Sequence, residues 1–541
     1  MRRFIAFLLI AVFFMAFLPA LQVAAGICDE RVDTEQGPVA GLSVNDGNAC
    51  AYRGIPYAAP PVDGLRWRAP QSPAPRDDVF AARSFSAKCM QGKDNSFTVP
   101  GERPLARSED CLYLNIWRPN KEGKFPVMVW IHGGSLTSGS GSYGIYRAGR
   151  LAPEGDVVVV TINYRLGPFG FLAHPGLSAE DPEGSSGNYG LLDQIEALKW
   201  VKHNIAAFGG DPQKVTIFGE SAGGWSVCNI LASPKAEGLF HRAVIQSGGC
   251  DTVKSLDEGF RDGRKFAENL GCSGTDAVSC LRDKSAEEIE AGKGLKKEED
   301  KEGLLNINDL GFTWVPHVDG KVLKQVPIDA LASGDYNRVP LMVGSNRDEA
   351  KLFTVVMPGI RLAPKPLVKK ALEKMRGPEF RESIERLYPY SLYNRPADAV
   401  IDALGDAVLG CKCFQAAEKA SPYQDVYYYR FDFDKHLAPD MAGACHALEI
   451  PFIFNTLDQP PVNLFITNFQ IKKAETLSKA MTAYWTNFAY TGDPNGPGLT
   501  NWPAYSTDEK QRMYLDMSMQ VRPADNVQKC EFWKEEAIRM D

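Results

Sequence analysis

The stretch Lys214-Val215-Thr216-Ile217-Phe218-Gly219-Glu220-Ser221-Ala222-Gly223-Gly224 constrains this chain more than any other. A β-branched and apolar run meets a glycine. One serine then stands between two glycines, and a helix-forming segment, Trp225 to Leu231, follows. The order strand, sharp turn, helix around G-x-S-x-G is the nucleophile-elbow pattern. A serine hydroxyl is a weak nucleophile, so its oxygen must stand clear of the backbone and reach a base. Glycines at 219 and 223 let strand and helix close around the turn. The N–H groups that open the helix favour developing negative charge beside the serine.

The rest of the chain alternates as such an elbow requires. Strands are predicted from Leu112 to Trp117, Phe125 to Ile131, Val157 to Asn163, Arg242 to Gln246, Val339 to Val343, Val426 to Phe433 and Met513 to Met517. The run from Val157 is continuously β-branched, which suits a strand covered on both faces. Leu191, Ile195, Leu198, Val201 and Ile205 put one apolar face on a helix between Gly190 and Ala207. Further helices are predicted at Asp257 to Leu270, within Pro366 to Leu387, and at Ile471 to Ala489. Strands alternating with helices predict an α/β fold with a large, mostly parallel central sheet flanked by helices. No repeat, low-complexity tract or linker divides the 541 residues, so residues 26–541 are expected to form one domain with long insertions.

Met1-Arg2-Arg3 precedes fifteen uncharged residues, Phe4 to Leu18, then Pro19 and the small residues Val23-Ala24-Ala25. This is the pattern of a signal peptide over residues 1–25, cleaved after Ala25, and it predicts a secreted or periplasmic protein without a membrane anchor. The formal charge of −7 becomes −9 once Arg2 and Arg3 are removed. A mildly acidic surface disfavours nucleic acid and anionic membranes as partners. The run Lys293 to Lys301 reads as a solvated loop. Export makes disulfides the expected state of the 12 cysteines. Cys89 with Cys111 and Cys272 with Cys280 are short spacings, and Cys28 with Cys50 would tie down the N-terminal segment. Cys411 and Cys413 could pair with Cys445 and Cys530 in either sense, while Cys228 and Cys250 read as buried thiols. The seven histidines form no Cys/His cluster with zinc spacing.

An elbow serine needs a base and a group that orients the base, in the chain order Ser, Asp or Glu, His. Both should lie in loops that follow later strands. His132 and His174 precede the serine, His203 sits on a helix, and His241 follows the serine by only twenty residues. His317 precedes any good acid, and His436 lacks a strand-to-loop transition. His446 lies in the loop Met441-Ala442-Gly443-Ala444-Cys445-His446-Ala447, after the strand that starts at Val426. The turn Gly344-Ser345-Asn346-Arg347-Asp348-Glu349 offers two acids. Either qualifies by chemistry, and the other would be a solvated charge. Ala222 N–H and the turn Gly133-Gly134-Ser135 are candidate oxyanion donors.

These residues resemble the type-B carboxylesterases, the family that includes the cholinesterases. The resemblance runs from about Asp33 to the end of the chain. Ser108-Glu109-Asp110-Cys111-Leu112-Tyr113-Leu114-Asn115 is similar to the family's second signature, and Phe218-Gly219-Glu220-Ser221-Ala222-Gly223-Gly224 matches its nucleophile signature. Asn163-Tyr164-Arg165-Leu166-Gly167 and Cys530-Glu531-Phe532-Trp533 match as well. The resemblance implies an α/β-hydrolase fold with Ser221 as nucleophile, Glu349 as acid and His446 as base. It selects Glu349 over Asp348, because the family acid follows the Asp of a D-E pair; Ala350 stands here for the usual Gly. It implies oxyanion donors at Gly134, Ser135 and Ala222, with Ser135 where a third Gly is common. It implies no metal or organic cofactor. It also implies disulfides Cys89–Cys111 and Cys272–Cys280 and a partner for Cys530 in the region of Cys411, which leaves Cys413 near Cys445 as an extra, with their pairing open. Glu109 with Arg165 is expected as a buried ion pair.

The activity implied is hydrolysis of a small-molecule carboxylic ester through an acyl-enzyme. Neutral His446 is required, so the rate is expected to fall below about pH 6 to 7. The segment from Cys89 to Cys111 carries no Trp, and its one aromatic before Cys111 is Phe97, which argues against choline esters. Rival readings are a lipase, an esterase for a bulky natural ester such as a polyester or a toxin's tricarboxylate side chains, and a non-catalytic binding protein of the same fold. Substrate preference and oligomeric state are left open by the motifs.

Overall fold

The apolar runs become neighbouring strands of one eleven-stranded sheet in a computed structural model that describes residues 27–92, 104–294, 312–355, 360–460, 462–466 and 468–538. The signal segment, Phe97 and most of the run from Lys293 to Lys301 lie outside the described residues. In chain order the strands are β1 (Leu42–Val44), β2 (Ala49–Pro56), β3 (Tyr113–Pro119), β4 (Phe125–Ile131), β5 (Val158–Ile162), β6 (Gly210–Glu220), β7 (Arg242–Gln246), β8 (Leu341–Asn346), β9 (Val426–Phe431), β10 (Gln511–Leu515) and β11 (Gln520–Pro523). They lie side by side as β11-β10-β9-β8-β7-β6-β4-β5-β3-β2-β1. From β5 across to β10 every neighbouring pair is parallel. The outer strands β1, β2 and β3 on one side and β11 on the other pair antiparallel.

Four helices matter for the site: α1 (Tyr189–Asn204), α2 (Ala222–Ala232), α3 (Cys411–Ala420) and α4 (Asn468–Thr491). Every residue of β4 and β5 is buried, as strands covered on both faces must be. On β4, Val127, Val129 and Ile131 join the core that contains Leu191, Ile195, Leu198 and Val201 of α1. Met128 and Trp130 alternate onto the other face, with Trp485 and Phe488 of α4. Each such side chain contributes about 1.5–3 kcal/mol by leaving water. Two bounds differ from the sequence reading. β8 continues through Gly344, Ser345 and Asn346, read above as a turn, because they pair with Tyr429, Arg430 and Phe431. β6 starts early because Gly210 pairs with Phe125 ahead of a bulge.

Five disulfides staple this frame: Cys28–Cys50, Cys89–Cys111, Cys228–Cys250, Cys272–Cys280 and Cys411–Cys530. Cys228 and Cys250 are therefore not the thiols expected above. The elbow helix brings them to a Cα separation of 5.2 Å, inside bridging range. Cys413 and Cys445, whose pairing the sequence leaves open, are buried thiols. Cys413 Sγ turns toward the strand ends, donating to Gly344 O at 3.2 Å and approaching Gly248 O at 3.4 Å. The expected Glu109–Arg165 pair is also replaced. Arg165 meets Asp193 of α1 through two bonds of 2.8 and 2.6 Å, and Glu109 pairs with Arg66. Asp193 wins because α1 packs directly under the loop that carries Arg165, whose backbone N–H it also binds at 3.0 Å. No helix among the described residues is long and apolar enough to cross a membrane.

Candidate active site

At the end of β6 the chain turns into α2 through Ser221, held at φ 57° and ψ −124°. An L-residue avoids this region unless its surroundings enforce it. The enforcement is steric. A Cβ at Gly223 would lie 2.0 Å from Ile131 O of β4, and one at Gly219 would lie 2.6 Å from the Gly223 carbonyl. Only glycines let α2 sit this close to the sheet. Ser221 N donates to Gln246 O at 2.9 Å, which fixes the turn to β7. Ala222 is the first residue of α2, so its N–H has no acceptor within the helix.

Glu349 follows β8 and His446 follows β9, so parallel pairing of these strands brings residues 97 apart into contact. His446 Nδ1 and Glu349 Oε2 are 2.6 Å apart, with both side chains buried. The other Glu349 oxygen accepts from Ser247 Oγ at 2.6 Å and from Asn346 N at 2.7 Å. The carboxylate is thus fixed from three directions. His446 Nε2 lies 3.0 Å from Glu220 Oε1, on the residue just before Ser221. Glu220 Oε1 accepts no hydrogen bond, so this is a charge contact with the ring N–H aimed elsewhere. No hydrogen bond joins His446 to Ser221 Oγ in this structure.

Burial acts against the imidazolium, but Glu220 and Glu349 outweigh it and lift His446 to about 9. Burial also raises Glu220, to about 8, against the pull of His446 and with help from Glu449 and Glu349.

Asp348 is not the solvated charge that the sequence suggested for the second acid. It is buried, accepts from Ala444 N at 2.8 Å, and its backbone N–H donates to Ala444 O at 3.0 Å. Arg347 and Lys351 flank it. Burial would raise its pKa, yet those cations outweigh burial and hold it below the usual carboxylate range. Asp348 therefore pins the loop that carries His446. His436, set aside above, braces the same loop through a 2.7 Å bond from Nε2 to Gly443 O.

The turn after β4 is oriented by its carbonyls. Gly134 O accepts from Thr137 N and Ser138 N, both at 3.0 Å, and from Ser138 Oγ at 3.1 Å. Gly133 O accepts from His132 Nδ1 at 2.8 Å. Burial pushes His132 down to about 4, so its ring is neutral, and a carbonyl partner places the proton on Nδ1. In a trans peptide the N–H opposes the C=O, so the Gly134 and Ser135 N–H groups point away from these partners. A Cβ on Gly133 would stand 3.0 Å from Ser221 Cβ, which places this turn against the elbow.

Sequence reasoning missed the polar layer beneath the acid. Glu449 is fully buried, accepting from Asn346 Nδ2 at 2.6 Å and Gln246 Nε2 at 3.0 Å. Burial and Glu349 raise its pKa above the ordinary value. The only linear signals were a Glu three residues after His446 and polar residues at the ends of β7 and β8. Apart from its carboxylate neighbours, the imidazole also meets an aromatic ring. The Phe353 ring lies 5.4 Å from that of His446 and is 47% exposed.

A serine elbow on a parallel strand, with an acid and a histidine at the ends of two later strands, defines an α/β-hydrolase. The chain belongs to the carboxylesterase family, whose model matches residues 29–533. It is therefore a carboxylic ester hydrolase acting on small-molecule esters. It is 38% identical to para-nitrobenzyl esterase of Bacillus subtilis (strain 168), covering 91% of this chain and 95% of that one. It is 36% identical to fumonisin B1 esterase of Sphingopyxis macrogoltabida, covering 91% and 88%. Among solved structures, a carboxylesterase of Geobacillus stearothermophilus superposes with a TM-score of 0.79 at 35% identity, covering 93% of this chain and 99% of that one.

Proposed function

We propose that this is an exported serine esterase in which Ser221, His446 and Glu349 form the catalytic triad and the reaction passes through an acyl-enzyme. His446 Nε2 takes the Ser221 proton as Oγ attacks the ester carbonyl. The N–H groups of Gly134, Ser135 and Ala222 receive the oxyanion, and Glu349 holds the imidazolium. The proton passes to the departing alcohol, and water then hydrolyses the acyl-enzyme by the same route. The observation that carries this reading is the 2.6 Å bond from the His446 ring to Glu349, in a ring whose other nitrogen reaches Glu220, the residue before a serine held at positive φ. The five disulfides support export, as does the N-terminal sequence, whose leader would end at Ala25.

Phe353 against His446, with Leu352 beside it 38% exposed, favours esters whose acyl or alcohol part is apolar. The likeness to fumonisin B1 esterase supports a second reading, in which that part belongs to a bulky natural ester. A stopped-flow experiment with a p-nitrophenyl ester tests the mechanism. An alcohol burst equal to the enzyme concentration, absent in Ser221→Ala, is expected; full turnover by Ser221→Ala would reject the assignment. A screen across acyl length and alcohol size separates the two substrate readings.

A further inference from the structure

We infer that Gln91 is a positioning residue for the oxyanion turn, coupling the Cys89–Cys111 disulfide to catalysis. The inference rests on the proposed reading of Gly134 and Ser135 as oxyanion donors. Gln91 is fully buried, two residues after Cys89. Its side-chain amide grips one residue, Gly139, through both of its backbone polar groups. Oε1 accepts from Gly139 N at 3.0 Å, while Nε2 donates to Gly139 O at 2.8 Å and to Cys89 O at 3.0 Å. Its own carbonyl accepts from Arg107 Nη1 at 2.6 Å.

Gly139 closes the turn that begins at Gly134, and it has φ +115°. A Cβ there would lie 2.3 Å from His132 Nδ1 and 2.5 Å from Gly133 O. Gly139 therefore packs directly on the hydrogen bond that sets the Gly133–Gly134 peptide. Its chain neighbour Ser138 supplies two of the donors to Gly134 O. Gly139 takes a positive φ that glycine adopts freely, it has no side chain to anchor it, and Gln91 supplies that anchor from another segment. The segment is itself held by the disulfide, by a short parallel pairing of Lys88 with Arg107 and Cys89 with Ser108, and by Lys88 N donating to Ala106 O at 2.8 Å. An oxyanion donor works only when aimed before the reaction starts, and losing one donor outright costs about 10²–10³ in rate. Releasing the clamp should cost less, because the donors remain but wander.

The test uses Gln91→Met, which keeps the volume and removes the hydrogen bonds. Active sites are counted by organophosphate titration, and kcat and KM are measured per titrated site. We expect kcat to fall by about 10- to 100-fold with KM within about twofold, since the turn meets the reacting carbonyl mainly in the transition state. Cys89→Ser/Cys111→Ser should show the same loss, and the two changes together should cost little more than either alone. Should Gln91→Met fail to fold, the disulfide variant carries the same expectation. A lowered melting temperature with unchanged kcat per site would overturn the inference, as would multiplicative losses in the combined variant. An inactive wild-type enzyme, or one indifferent to Ser221→Ala, would instead reject the triad reading beneath it.

Discussion

Two adjacent carboxylates after β8 divide between orienting the imidazole and holding its loop. Glu349 meets His446 Nδ1 at 2.6 Å, and Asp348 accepts from Ala444 N at 2.8 Å between Arg347 and Lys351. Glu349→Gln should therefore lower kcat by about 10⁴ with little change in stability, by analogy with the amide variant of an aspartate-oriented triad. Asp348→Asn leaves two cations without their buried partner and should cost about 3 kcal/mol in urea unfolding, with a smaller loss of kcat. Equal kcat losses, or a stable Asp348→Asn protein, would contradict this division. The pH profile follows from the same residues. His446 acts as a base only when neutral, and its carboxylate neighbours favour the protonated form. The acid limb of kcat/KM should thus have its midpoint above the ordinary histidine value of about 6.5. Glu220→Gln removes one of those anions and should move the midpoint down. A midpoint that stays put or rises would show that the 3.0 Å contact carries no charge.

The elbow is the element on which the site is hung, and its tolerances are narrow. Gly223→Ala would place a methyl 2.0 Å from Ile131 O, a backbone atom of β4 that cannot retreat without breaking strand pairing. We expect loss of folded protein or a stability cost of about 3 kcal/mol or more; wild-type expression and melting temperature would contradict the packing described. Elements of this kind were legible in the sequence, because their cause is local. The Phe125–Ile131 strand and the Arg242–Gln246 strand fall where apolar runs are bounded by turn residues. What could not be read is set by contacts between distant segments. Asp348 looked solvated because its partner lies in a loop 96 residues away. The family resemblance points Arg165 to Glu109, and nothing in the linear chain says that α1 passes beneath it and offers Asp193 instead. Gln91, Ser247 and Glu449 carry no motif, and each acquires its place only when strand ends converge.

Across the whole molecule, disulfides tie the segments that flank the sheet to its core. Cys411–Cys530 joins α3 to the C-terminal helix Val527–Ile538 across 119 residues. Replacing both cysteines by alanine should cost about 4 kcal/mol, because a long loop loses its constraint in the unfolded chain. Active protein should accumulate when the chain is directed to an oxidising compartment and should fall sharply in a reducing one. Equal yields would argue against the proposed export. The chain lacks a Trp between Cys89 and Cys111, and it sets Phe353 against the His446 imidazole.

The central claim is that Ser221 is the nucleophile activated by a buried His446–Glu349 pair. Mass spectrometry of the enzyme after exposure to a fluorophosphonate tests it most directly. One adduct per chain is expected, on the peptide carrying Ser221, formed much more slowly in Glu349→Gln and not at all in Ser221→Ala. An adduct on another residue, or none in an enzyme that hydrolyses esters, would contradict it.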